Sequence, residues 1–427
     1  MSILFSSTSF SQTDWLSKEM VEQFSAPLEV TEGDYFGSAV DISDKYAIVG
    51  SKEDDVTGIK SGSVYIFEKK ELNWEFVQKF INDDDSSSNN YMGHSVAIYN
   101  DFAFAGASQY DLNEENKDVG KVYVLKRQET GVWIKYQTLL PEPVFGTHRF
   151  GSSIAVHDGI LVIGASGNRE ETGKVFVFHL DEDQWIQEQC LEPEYKYEDA
   201  KFGCDVDVFS EFIIVGAYFE NYENGNKGSA YIFKKIDNTW KQVEQLIPSI
   251  EQKYLRYGYS VCINHKYAIV SSYKENSGEV TKPGVVYLYK RNENEWKFLF
   301  KLTEDNLESG DKYGISLHLE DNLLMVGATR VETDADDSGA VFFYELEDIN
   351  CTKIKKISAL NPKSYANFGT SVAFSGSNII VGAETMTNNE IKTGSVYFYT
   401  PKALTIPTSP PGVSDVLNLM KRISQKQ

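Results

Sequence analysis

One phrase recurs seven times and leaves this chain few folds to choose from. Its clearest copy runs from Phe36 to Phe67 as FGSAVDI, YAIVGS and GSVYIF, followed by the Trp-led stretch WEFVQKF. Anchored on the glycine that follows an aromatic residue or Met, the copies begin at Gly37, Gly93, Gly151, Gly203, Gly258, Gly314 and Gly369. Successive anchors lie 52 to 58 residues apart. A period of that length marks a repeat architecture and takes precedence over local assignments.

Each copy carries three apolar runs of five to seven β-branched and aromatic residues, bounded by Gly, Asn and Asp. That is strand chemistry. A fourth run starts at Trp74, Trp133, Trp185, Trp240 and Trp296, with Cys351 in the same slot of copy six. It alternates apolar and polar residues, as an outer, half-exposed strand does. Seven units of four short antiparallel strands predict an all-β, seven-bladed β-propeller. A linear stack needs capping repeats, whereas a ring needs none. The last copy stops at Tyr399 after its third strand, and KEMVEQF at Lys18–Phe24 has the right distance from Gly37 to supply the fourth. Sharing one sheet between both ends of the chain removes the exposed edges and closes the ring.

The FG that opens each first strand and the GA that ends most second strands resemble the FG-GAP repeat of the integrin α-subunit N-terminal propeller. The likeness spans about Lys18 to Tyr399. It implies a seven-bladed propeller and no particular activity, since such a ring is a scaffold. Two departures limit what is carried over. Integrin-like repeats often hold calcium in a loop between strands one and two. Here those links are tight turns such as Ser43-Asp44-Lys45 and His157-Asp158-Gly159, and the Pro of GAP is absent from every copy. Calcium binding and integrin-type adhesion are therefore not transferred. No cofactor and no metal ligand is assigned. Calcium stands as the alternative at two acidic clusters, Asp83–Asp85 and Asp334–Gly339, whose carboxylates suit it but whose spacing is not that of a full loop.

The chain divides into an N-terminal arm (1–17), the propeller (18–400), a Pro-rich linker (401–412) and a short amphipathic helix (413–427). In that helix Val413, Val416, Leu417 and Met420 fall at i, i+3, i+4 and i+7. Cys190, Cys204, Cys262 and Cys351 show no metal or redox spacing and read as free thiols inside strands. The first residues lack the basic and apolar regions of a secretory signal, so the expected compartment is the cytoplasm. Surface display by a non-classical route is the alternative.

The net charge is −22. In an up-and-down blade the links from strand two to three, and from strand four to the next blade, emerge on one face. Those links hold about 19 of the 22 net negative charges. Such a face steers basic partners and repels nucleic acid. The first functional reading is a non-catalytic scaffold that binds a basic protein surface there. Asp83, Asp84, Asp85, Asp334, Asp336 and Asp337 supply the charge, and Tyr110, Tyr218, Phe219, Tyr222 and Tyr273 supply aromatic anchors. Val416, Leu417 and Met420 of the terminal helix offer a second contact. A carbohydrate-binding propeller is the alternative. An enzyme comes third, using Asp41, Asp207 and His318, which share the register four residues after their anchor glycines and so face the central channel. No catalytic motif supports that third reading, and no catalytic residue is assigned.

Overall fold

The structure, a computed structural model, describes residues 20–25 (backbone only), 30–81, 89–144, 146–167, 172–221, 225–293, 295–388 and 390–401. Seven four-stranded antiparallel sheets form the blades. Blade 1 runs Phe36–Ile42, Tyr46–Ser51, Ser63–Lys70 and Asn73–Ile81. Blade 7 takes Phe368–Ser375, Asn378–Ala383 and Ser395–Pro401 from the end of the chain and Met20–Ser25 from its start. The terminal pair is antiparallel, with Phe24 opposite Tyr397. The closing strand expected from KEMVEQF is therefore present. The Pro-rich linker and the terminal helix lie outside the described residues, as do Asp83–Asp85 and Tyr222.

Burial follows the sequence pattern. Second strands such as FIIVGA are buried along their whole length, while fourth strands such as WIKYQTL are covered mainly at their ends. A tryptophan at the head of a fourth strand seals its blade against the preceding one. Trp74 stacks on Phe398 at 5.1 Å, Trp133 meets Tyr46 edge-on at 5.4 Å, and Trp185 meets Phe104 at 5.2 Å. Glutamines on the outer strands add a second seam. Gln137 donates to the Trp185 carbonyl at 2.9 Å and accepts from its amide at 3.0 Å, and Gln189 does the same with Trp240.

The glycines of the repeat explain the spacing between blades. The Gly of each second strand lies against the anchor Gly of the next blade. A Cβ on Gly50, Gly106, Gly164, Gly216, Gly327 or Gly382 would sit 2.0–2.2 Å from that neighbour's carbonyl oxygen. Only in blade 5 does another residue, Ser271, take this place, facing Gly314. The amide of each anchor aromatic also donates across the same gap. Phe36, Met92, Phe150, Phe202, Tyr257, Tyr313 and Phe368 reach carbonyls just before the third strand of the preceding blade, at 2.7–3.0 Å. The repeat is thus a backbone-to-backbone joint, made seven times. Forcing a methyl into such a joint moves two blades apart. Gly216→Ala is expected to cost about 3 kcal/mol by urea denaturation, at the upper end for overpacking. Gly278→Ala, a left-handed turn glycine with nothing within 4 Å of its Cβ position, is expected to cost about 1 kcal/mol from backbone strain alone. Equal losses would show that the joint is not close-packed.

Candidate binding face and channel mouth

First strands are innermost, and they line a central cavity of about 690 Å³. Asp41, Ala97, Ala155, Asp207, Cys262, His318 and Ala373 all border it, as the common register requires. The carboxyls among them hold blades together. Asp41 accepts from its neighbour Ile42 at 2.9 Å and, across the gap to blade 2, from Ile98 at 2.8 Å. Asp207 accepts from Val208 at 2.8 Å and from Ile263 of blade 5 at 2.7 Å. Asp205, two residues before Asp207, accepts from Val261 at 2.8 Å. Ser371 of blade 7 accepts from Val40 of blade 1 at 3.0 Å. Each residue satisfies an amide that the strand-one geometry leaves without a sheet partner.

Burial sets the protonation of this wall. It pushes Asp41 and Asp207 up to about 7 and Asp205 up to about 6, the backbone donors opposing it in each case. It lowers His318 to about 4, with the ring packed on Phe374 at 4.8 Å. Desolvation by the channel wall, together with Lys52 and Arg149, also holds His94 below its ordinary value, although its ring is open to the channel and so feels the shift less than His318 does. Cys204 donates to the Gly258 carbonyl at 3.3 Å, and burial pushes its thiol up to about 12. This wall therefore favours the neutral imidazole of His318 and a protonated Cys204 thiol, beside aspartates shifted toward the protonated form.

On the long-loop face, where the links carry most of the net negative charge, not every acid faces water. Several loop acids point inward, where they fix the loops. Asp54, fully buried, takes Lys79 at 2.6 Å and Ser63 at 2.7 Å. Glu220 takes Tyr231 at 2.5 Å and Ser229 at 3.0 Å, and Glu275 takes Tyr287 at 2.8 Å and Lys301 at 2.7 Å. Glu304 binds Tyr344 and Lys353. A strand-three tyrosine beneath a buried loop acid is thus a recurring brace. Asp334 and Asp336 remain exposed on the rim, with Asp337 half-buried beside them. Tyr110 is half-buried under the Lys121 ammonium, 3.7 Å from its ring centre. Tyr218, Phe219 and Tyr273 gather at the channel mouth. Tyr259 joins Tyr218 at 5.3 Å and Tyr273 at 4.5 Å, and the Arg256 guanidinium lies 3.8 Å over Phe219.

The centre of this face is basic. Two residues before each anchor glycine stand Tyr35, Tyr91, Arg149, Lys201, Arg256, Lys312 and Asn367, all in the left-handed region with φ between 54° and 62°. Four of the seven are cations. The signal was readable as HRFG, AKFG, RYG and KYG, but summing charge by link hides it. Large apolar side chains are also exposed at the loop tips: Val56, Ile59, Tyr195, Tyr254, Leu360, Tyr365 and Ile391, with Leu360 at 73% and Tyr195 at 66%. The remaining exposed ones among the described residues lie on outer strands or in strand-three-to-four turns.

The FG-GAP repeat family matches the chain over residues 26–67, 74–125, 185–233 and 351–399. The chain carries FG-GAP repeats in these four stretches. The matched stretches fall on blades 1 to 4, 6 and 7, and the remaining copies build equivalent joints, with Ser271 replacing the second-strand glycine in blade 5. No curated protein matches this FG-GAP chain. Among solved structures, a protein from Lactobacillus plantarum is 11% identical at a TM-score of 0.49, covering 76% of this chain and 86% of its own. A candidate 6-phosphogluconolactonase from Bacteroides fragilis is 10% identical at 0.49, covering 76% and 85%. At that likeness neither bears on what this protein does. Among the described residues no helix is long and apolar enough to cross a membrane.

The raised aspartates give a pH signature. A carboxyl whose folded value lies above its unfolded value stabilises the fold at low pH and loses that contribution as pH rises through the folded value. For Asp207 the window runs from about 4 to about 7. Stability of the parent protein relative to Asp207→Asn is therefore expected to fall as pH is raised from 4.5 to 7.5, read from urea midpoints. A difference independent of pH would mean that the carboxyl titrates at its ordinary value.

Proposed function

We propose that this FG-GAP propeller is a non-catalytic binding module that receives a protein partner with a basic surface on its long-loop face. The observation that carries this reading is the grouping of exposed apolar side chains at the tips of braced loops. Leu360 and Tyr365 stand between blades 6 and 7, Ile391 on blade 7, and Val56 and Ile59 on blade 1, so five of them occupy successive positions around the ring. Exposed apolar groups rimmed by polar ones mark interaction sites. Asp334 and Asp336 flank this sector on blade 6, and the Tyr365 amide donates to the Asp336 carbonyl at 2.9 Å. The loops start from a rigid ring and are held by buried acid–tyrosine braces, so little order has to be imposed on binding. The non-catalytic part of the reading draws support from the channel carboxyls, which are engaged with backbone amides of the next blade.

The partner is captured by cross-linking in native extract, identified, purified and titrated against variants. Ile59→Ser combined with Leu360→Ser is expected to weaken binding at least tenfold. Asp334→Asn with Asp336→Asn is expected to weaken it several-fold and to flatten its dependence on salt. Ile186→Ser, on an outer strand, is the control and should leave affinity unchanged. Full affinity in the Ile59/Leu360 variant, or loss in the control alone, would overturn the reading.

A further inference from the structure

The cations at the channel mouth are in surroundings that cost them hydration without supplying matching carboxylates. Arg149, Lys201 and Lys312 reach the cavity from blades 3, 4 and 6, and Lys52 from blade 1. Arg256 of blade 5 stands behind them, stacked on Phe219 and Tyr218. Only two of these have an acid within ion-pair distance among the described residues: Lys52 with Glu384 at 2.8 Å and Lys201 with Asp199 at 2.9 Å. Arg149 and Arg256 each have a buried Nε that no acceptor reaches among the described residues. The Thr329 hydroxyl on the same cavity wall is likewise buried without a partner. A partly buried cation without a counter-charge is unfavourable in the empty protein and is satisfied by an incoming anion.

We propose that the mouth of the channel on the long-loop face is a binding site for a small molecule carrying a phosphate or carboxylate group. Arg149 and Lys312 hold the anion, with Lys52 and Lys201 supporting it from either side. The groups connect around the ring. Lys201 donates to the Gly167 carbonyl at 3.1 Å, beside Ser166 on the cavity wall. Lys52 and Arg149 both act on His94, and Glu384 links Lys52 to Thr370 at 3.2 Å. Burial, together with neighbouring Arg330, holds Lys312 below its ordinary value, and Glu384 and Asp337 only partly oppose this. The volume, about 690 Å³, is that of a small-molecule site. Serines and the Tyr218–Tyr259 wall supply hydroxyls and ring faces for the body of the ligand. Arg149, Lys201, Arg256 and Lys312 are ring-equivalent, so the cation recurs over four successive blades. The inference is independent of the proposed protein partner, which engages the rim.

The test uses the full chain, with inorganic phosphate and D-glucuronate as separate probes and chloride matched for ionic strength. Phosphate, glucuronate or both are expected to raise the melting temperature saturably, and titration calorimetry gives the affinity. Which probe binds identifies the anionic group. Arg149→Met with Lys312→Met is expected to weaken binding at least tenfold, while its melting temperature without ligand equals or exceeds that of the parent. Lys312→Arg should retain binding. If the double variant does not fold, hydrogen exchange on the parent protein decides, and added probe should protect residues 147–152 and 310–315. Absence of a saturable effect of either probe, unchanged affinity in the double variant, or protection confined elsewhere would overturn the assignment.

Discussion

Seven close junctions between blades, six of them glycine against glycine, set the geometry of this molecule. At most blade junctions the anchor glycine of one first strand meets the second-strand glycine of the blade before it, with no room for a methyl group between them. That approach brings the anchor aromatic's amide onto the neighbouring carbonyl. It also aligns the seven first strands around one cavity. Everything else uses the resulting frame. The tryptophans wedge the outer part of the gap, the glutamines bridge it, and the aspartates of the channel tie off amides near its inner end. Blade 5 shows how far the joint can be varied: a serine replaces the glycine, and its Oγ accepts from the Ser260 amide at 2.9 Å.

The same frame sorts the charges. Carboxylates near the ring's axis or beneath the loops serve as internal acceptors for amides, tyrosines and lysines. Those at the loop tips remain in water. Cations two residues before the anchors collect near the axis: Arg149, Lys201 and Lys312 border the cavity, with Arg256 stacked behind them. A protein of strongly negative net charge thereby acquires a basic centre inside an acidic and apolar rim. Such a pattern offers two kinds of contact on one face, a broad one at the perimeter and a confined one at the mouth.

The fold was legible because the repeat is periodic and its glycines have no cheaper explanation than close approach. The ring closure followed from counting strands, and Phe24 opposite Tyr397 fits the spacing read from KEMVEQF. The channel register was also legible, since Asp41, Asp207 and His318 share one offset and share one cavity. What their side chains do was not. Whether a carboxyl faces a substrate or the next strand's amide depends on a hydrogen-bond direction that spacing does not encode. Loop acids were misjudged as surface charge for a related reason. Asp54, Glu220 and Glu275 look like ordinary loop residues until the tyrosine of strand three is seen beneath them. Asp83–Asp85, Tyr222 and the helix residues Val416, Leu417 and Met420 lie outside the described residues.

On the proposed reading the long-loop face is the working surface of this ring. Hydrogen–deuterium exchange of the full chain, with and without its purified partner, tests it most directly. The expected result is slowed exchange at residues 55–60, 334–337 and 359–366, with the short strand-one-to-two turns near Asp44, Asp101 and Asp158 unchanged. Protection of those turns or of the outer strands, with the long loops unaffected, would contradict it.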